Sequence, residues 1–125
     1  MNQSKKLIFV YNADSSLFNQ IGDLIHKTIS PKTYQCNLCG LTYFGVSMKD
    51  EWKDFINALS LPAEFLHRDE FLKQFPSMKD TTLPQAFIKQ NANLVELIST
   101  QEINQAKNLE ELKQLVQRKV SNFKA

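Results

Sequence analysis

Lys6-Leu7-Ile8-Phe9-Val10-Tyr11-Asn12, followed at once by Ala13-Asp14-Ser15-Ser16, decides how this chain is read. Leu7 to Tyr11 are five consecutive apolar residues with no polar alternation, so a strand built from them has no face suited to water. Such a strand belongs at the centre of a sheet covered by helices. Residues 14 to 16 supply side-chain oxygens that can accept the first free N–H groups of a following helix. The stretch predicts the strand-to-helix start of a parallel α/β arrangement.

Working outward, Leu17, Phe18, Ile21, Leu24, Ile25 and Ile29 recur at helical spacing, which predicts an amphipathic helix ending near Ser30-Pro31. Gly22 inside it costs about 1 kcal/mol relative to alanine. Next come Cys36-Asn37-Leu38-Cys39-Gly40 and then Leu41 to Val46, where β-branched and aromatic residues predict a short strand. Ser47 followed by Asp50 reads as a capping box with aspartate in place of glutamate. Trp52, Phe55, Ile56 and Leu59 form one helical stripe, with Pro62 as its stop.

Alternation from Ala63 predicts a strand to about Arg68, and Asp69 to Phe75 a short helix. Residues 76 to 82 read as a polar connection. Pro84 opens Gln85 to Lys89, and Asn91-Ala92-Asn93 separates it from Leu94 to Ile98, a β-hairpin pattern. Asn108 with Glu111 three residues on caps a last helix carrying Leu109, Leu112, Leu115, Val116 and Val120, and Arg118 and Lys119 suit its negative end.

At 125 residues and 42% hydrophobic, the chain suffices for one domain, residues 1–125, with its own core. Fifteen basic against 13 acidic residues leave +2, and the charges are scattered, so the footprint of a nucleic-acid binder is missing. Lys5 and Lys6 precede only five apolar residues, too few for a signal-peptide core, and no run approaches the roughly 20 residues of a membrane span. The expected location is cytoplasmic, with neither a membrane nor a nucleic acid as partner. With three glycines the chain has no P-loop and no dinucleotide fingerprint, and His-Glu-x-x-His is absent.

The order strand, helix, intervening region, strand, short helix, proline-led hairpin, helix resembles the thioredoxin-like fold. Thr82-Leu83-Pro84-Gln85-Ala86-Phe87-Ile88 is similar to the Thr-x-Pro segment of glutaredoxin-type domains, in which a cis proline precedes the third core strand. The resemblance covers roughly residues 6 to 30 and 63 to 120. It implies an α/β fold, a central mixed sheet flanked by helices, with residues 31–61 as an inserted segment holding the Cys-x-x-Cys pair and a helix. The departure lies in the cysteines. In such domains they sit between the first core strand and its helix, where the helix N-terminus favours the thiolate. Here Asn12 to Ser16 hold that place without a thiol. A second alignment makes Leu41 to Val46 a further core strand and puts Ser47 to Asp50 at the redox position. Both displace the cysteines, and only Pro84 carries over by position.

Cys36 and Cys39 are the most specific chemical signal, and two cysteines alone are not the framework of a secreted disulfide scaffold. Three readings stay open. The pair could cycle between dithiol and disulfide. It could bind metal, since Cys-x-x-Cys-Gly is similar to the knuckle of zinc ribbons and rubredoxins; zinc takes four ligands, and His26, His67, carboxylates or a second chain would complete the set. It could also simply pack. His67, in His-Arg-Asp-Glu, is expected at a strand end on the same edge as Asp14, Ser15 and Pro84, where it could hold an anion or metal, shuttle protons or only cap a helix. His26 lies near the C-terminus of the first predicted helix, where a protonated imidazole suits the dipole. Trp52, Tyr43 and Phe44 could line a pocket over the cysteines, although the stripe of Trp52 makes it a core residue. The leading expectation is thiol–disulfide exchange with a protein thiol substrate and no cofactor: Cys36 attacks, Cys39 resolves and Pro84 shapes the substrate groove. The alternative is a non-enzymatic domain whose cysteines hold a structural zinc or whose surface binds a protein partner.

Overall fold

The computed structural model describes residues 5–13, 37–44 and 47–123, without the side chains of Phe44 and Ser47. The elements in chain order are β1 (Lys5–Val10), α1 (Asn37–Thr42), β2 (Tyr43–Phe44), β3 (Ser47–Met48), α2 (Asp50–Asn57), β4 (Ala63–Leu66), α3 (Arg68–Gln74), a 3₁₀ turn (Pro76–Met78), β5 (Gln85–Gln90), β6 (Asn93–Ile98), α4 (Thr100–Gln105) and α5 (Leu109–Asn122). The helix expected after the first strand falls outside the described residues.

Four strands form one mixed sheet in the order β4-β1-β5-β6. β1 runs parallel to β4, with Leu7 opposite Ala63 and Val10 opposite Leu66. It runs antiparallel to β5, with Leu7 opposite Ile88 and Val10 opposite Gln85. β1 is thus bonded on both edges, and Leu7 to Val10 are buried on both faces, as their unbroken apolar run requires. β5 and β6 form the expected hairpin, turned by Asn91 at a φ of 59°. Asparagine tolerates that left-handed backbone better than branched residues do.

The pleat sends alternate residues to two cores. Leu7, Phe9, Tyr11, Ala86 and Ile88 meet Leu38 of α1, Trp52 and Ile56 of α2, Ile103 of α4 and Leu112, Leu115 and Val116 of α5. Ile8, Val10, Leu66 and Phe87 meet Phe71 of α3, with Leu72, Phe75 and Met78 against them. Trp52 is fully buried, its ring 5.5 Å from Phe9 edge-on and 5.6 Å from Phe55. The helix in residues 31–61 therefore supplies core for the sheet itself.

Several local expectations are corrected. The expected strand does not begin at Leu41: Leu41 and Thr42 finish α1, and among the described residues Tyr43 and Phe44 are in strand, paired with Ser47 and Met48, while Gly45 and Val46 fall outside them. The β propensity of the stretch loses to a helical face, since Leu38, Cys39 and Thr42 are buried together and the Thr42 hydroxyl donates to the Leu38 carbonyl at 2.7 Å. Ser47 does not cap α2; it lies in β3, and Lys49 is the N-cap without a side-chain bond. α2 ends at Asn57 rather than at Pro62, whose carbonyl instead accepts from the Leu7 N–H at 2.8 Å and leads into β4. β4 stops at Leu66, because His67 turns the chain into α3 one residue before the expected Asp69 start.

Candidate functional site

β1 and β4 end side by side; α3, which follows β4 directly, packs on the Phe71 face, while α1 and α2 lie on the Trp52 face. Continuing the register, Tyr11 follows Val10 between His67 and Pro84. The Tyr11 N–H donates to the Leu66 carbonyl at 2.9 Å, and the Arg68 N–H donates to the Ala13 carbonyl at 2.9 Å, which locks the two strand ends together.

At this edge the Tyr11 ring meets Tyr43 edge-on at 5.5 Å and His67 at 5.7 Å. Burial holds the Tyr43 hydroxyl above the ordinary tyrosine range; the Tyr11 hydroxyl, donating toward its oxygen, acts the other way, and the negative charge of Glu70 adds a smaller upward push. One Glu70 oxygen accepts from the His67 N–H at 2.8 Å and lies 2.9 Å from His67 Nδ1. A carboxylate only accepts, so Nδ1 carries the hydrogen and the ring is held by the cap of its own helix. His67 thus caps α3 and packs against the Tyr11 ring at once.

α1 reaches this edge from the other side. Asn37 Nδ2 donates to the Ile103 carbonyl at 2.8 Å and the Ala106 carbonyl at 3.0 Å, which fastens α1 to the end of α4. Cys39 follows two residues later, 1% exposed and disulfide-bonded. It belongs to the same buried cluster as Tyr11, against which Tyr43 packs. Pro84 is buried, after a cis Leu83–Pro84 bond, at the start of β5.

The structure therefore brings Tyr43, Tyr11, His67 and Pro84 to one end of the sheet, and Cys39 lies in α1 four residues before Tyr43. Cys36, His26, Asp14 and Ser15 fall outside the described residues. Trp52 lies in the core beneath, as its stripe implies, rather than lining an open pocket. Among the described residues no group of three or more His, Cys, Asp or Glu side chains is close enough to hold a metal ion. A disulfide sulfur also lacks the thiolate charge that zinc takes from cysteine. No helix among the described residues is long and apolar enough to cross a membrane.

Sequence reasoning missed Tyr11 as a site residue, since a tyrosine ending an apolar run reads only as strand. It also missed α4, whose signal was present: the Ser99 hydroxyl accepts from the Glu102 N–H at 3.1 Å and the Glu102 carboxylate accepts from the Ser99 N–H at 3.0 Å, a capping box. The opposite end of β4 borders a groove of about 420 Å³ lined by Met48, Ile56, Leu59 and Leu61, whose only charge is Lys53.

No protein-family model, no curated protein and no solved structure matches this chain.

Proposed function

We propose that this is a thioredoxin-like thiol–disulfide exchange protein working through Cys36 and Cys39. The observation that carries the reading is the disulfide of Cys39, held in a helix that Asn37 fastens to the end of α4. The strand order supports it: a parallel β1–β4 pair with β5 and β6 added antiparallel, and Pro84 directly before β5, is what the resemblance implies for the core.

The burial of Cys39 supports a division of roles. Cys39 is 1% exposed and is the resolving cysteine, which leaves the attack to Cys36. In the reduced protein the Cys36 thiolate attacks a substrate disulfide, forming a mixed disulfide and releasing one substrate thiolate. The Cys39 thiolate then attacks the Cys36 sulfur, closes the Cys36–Cys39 bond and expels the second. Two electrons pass to the substrate, whose thiolates take up the two protons given up by the pair. An external dithiol returns the pair to its reduced form. Pro84 walls the groove in which the substrate lies.

The test is reduction of a chromogenic aromatic disulfide by wild type and by Cys36→Ser, Cys39→Ser and the double variant, with dithiothreitol as reductant. Cys39→Ser should accumulate a mixed disulfide and Cys36→Ser should not. Full activity in the double variant would end the proposal. The burial of Cys39 also favours a second reading, a non-enzymatic domain in which the disulfide is a staple and the surface binds a protein partner. That reading expects Cys36→Ser to unfold more easily, whereas exchange expects an intact fold without turnover.

A further inference from the structure

β4 is an outer strand of the sheet, bonded to β1 on one side. The Leu7 N–H donates to the Pro62 carbonyl and the Tyr11 N–H to the Leu66 carbonyl, so Pro62, Glu64 and Leu66 turn their backbone groups toward β1. Alternation then turns the N–H and C=O groups of Ala63 and Phe65 the other way, off the edge of the sheet. Among the described residues nothing bonds to these groups, and Ala63 and Phe65 are only half-buried. An open row of donors and acceptors of this kind pairs with an extended polypeptide.

The groove of about 420 Å³ runs beside that edge. It takes in Ala63 and Phe65, the two β4 residues on the Trp52 face, together with Ile56 of α2 and Leu59 and Leu61 after it. Among the described residues none of β1 lines it, which puts it on the outer side of β4. A strand added at the edge lies about 4.8 Å beyond β4, and every second side chain on it points to the face that holds the groove.

Lys53 is the single charge among the lining residues. It is 53% exposed, and Asp50, its ion-pair partner at 3.7 Å, is 94% exposed, so water screens that pair and the ammonium stays open to a carboxylate on an arriving strand. A second copy of the chain is the poorer occupant. Antiparallel pairing of β4 with itself through both Ala63 and Phe65 sets the two copies of Glu64 opposite each other, a like-charge pair. It also presents only Ala63 and Phe65 to the face of Lys53, and neither carries an acid.

We infer that the outer edge of β4 and its groove take an extended segment of a protein partner as an added strand, with an apolar and an acidic side chain two residues apart facing the groove. This does not rest on the exchange function proposed above.

The experiment is titration of the ¹⁵N-labelled full chain with the blocked pentapeptide acetyl-Thr-Val-Thr-Glu-Thr-amide, followed by NMR. The Ala63 and Phe65 amides should shift most and should exchange more slowly with deuterated water in the complex. Two N-methylated versions of the peptide, one methylated at Val and Glu and one at the three Thr residues, separate strand addition from simple filling of the groove. One should lose about tenfold in affinity and the other keep it, because only alternate N–H groups of an added strand face β4. Loss on methylating Val and Glu means an antiparallel strand, and loss on methylating Thr a parallel one. Equal effects of the two would overturn the added strand. Lys53→Glu should weaken binding of the parent peptide about threefold and favour acetyl-Thr-Val-Thr-Lys-Thr-amide; unchanged affinity for both would overturn the acidic position. Shifts centred elsewhere, or no saturable shift at millimolar peptide, would overturn the site. So would Ala63 and Phe65 amides that move with protein concentration in the absence of peptide, which would give the edge to a second copy.

Discussion

Asn37 Nδ2 donates to the backbone carbonyl of Ile103 at 2.8 Å, across 66 residues of sequence. The same nitrogen reaches the Ala106 carbonyl at 3.0 Å, so one side chain satisfies two carbonyls at the end of α4. This amide ties the Cys39 helix to the end of α4. Asn37→Ala takes a donor from both carbonyls in a partly buried place, leaving Ile103 with only the Ala106 N–H, and should lower stability by about 1–3 kcal/mol. Urea unfolding measures that loss. Asn37→Asp, which keeps the size and removes the donor, should cost as much; a near-neutral effect of both would show that α1 is held by packing alone.

The core around α2 gives a sharper test. Trp52 is fully buried and touches the rings of Phe9, Phe55 and Phe65. Trp52→Ala should cost about 3–5 kcal/mol through lost burial and the cavity left behind. Val95, 38% exposed on β6, is the internal contrast, and Val95→Ala should stay within about 1 kcal/mol of wild type. Denaturation midpoints at equal m value decide between them. A small effect of Trp52→Ala would mean that α2 is not part of the folding core.

These two sites show what was legible in the sequence and why. The stripe of Trp52, Phe55, Ile56 and Leu59, the run Leu7 to Tyr11 and the alternation on both sides of Asn91 announce their elements through periodicity, because each buries one face or two. α1 and α4 have six residues each, less than two turns, and periodicity has nothing to repeat over that length. What makes them helices is tertiary: the Asn37 bonds, the Thr42 hydroxyl on Leu38 and the Ser99–Glu102 box. For the site, the expectation that His67 and Pro84 share an edge follows from strand order. The partnership of Tyr11 with Tyr43 joins positions 32 residues apart that no local pattern connects.

That pair yields a titration experiment. Burial holds the Tyr43 hydroxyl above the usual tyrosine value of 10.0, while the Tyr11 hydroxyl partly offsets it. Tyr43 should therefore titrate above the ordinary tyrosine value when its ring carbon shifts are followed by NMR as pH is raised, and Tyr43→Phe identifies its signal by removing it. Tyr11→Phe takes away the stabilising donor and should push Tyr43 up further. An unchanged or lower Tyr43 midpoint in Tyr11→Phe would show that the two hydroxyls do not interact.

The acid limb of stability should report on Glu102. Its carboxyl is held below the ordinary carboxylate value, first by the Lys119 ammonium, 2.6 Å away, and then by the Ser99 N–H. A folded pKa below the unfolded one contributes stability that is fully present above the unfolded value and is lost as pH falls through the folded value. The window therefore lies below about pH 4.3, the unperturbed glutamate value. Glu102→Gln cannot titrate there, so wild type should exceed it most at neutral pH, with the gap closing toward pH 3. The side chains are about a third exposed, so solvent screening makes the ion-pair share small, and it should shrink further in molar salt. The cap formed with Ser99 is local and less sensitive to salt. Urea unfolding of both proteins at pH 7 and pH 3, with and without salt, separates the two contributions. A gap that is constant with pH would assign the role of Glu102 to the neutral capping geometry, which glutamine can also supply in part.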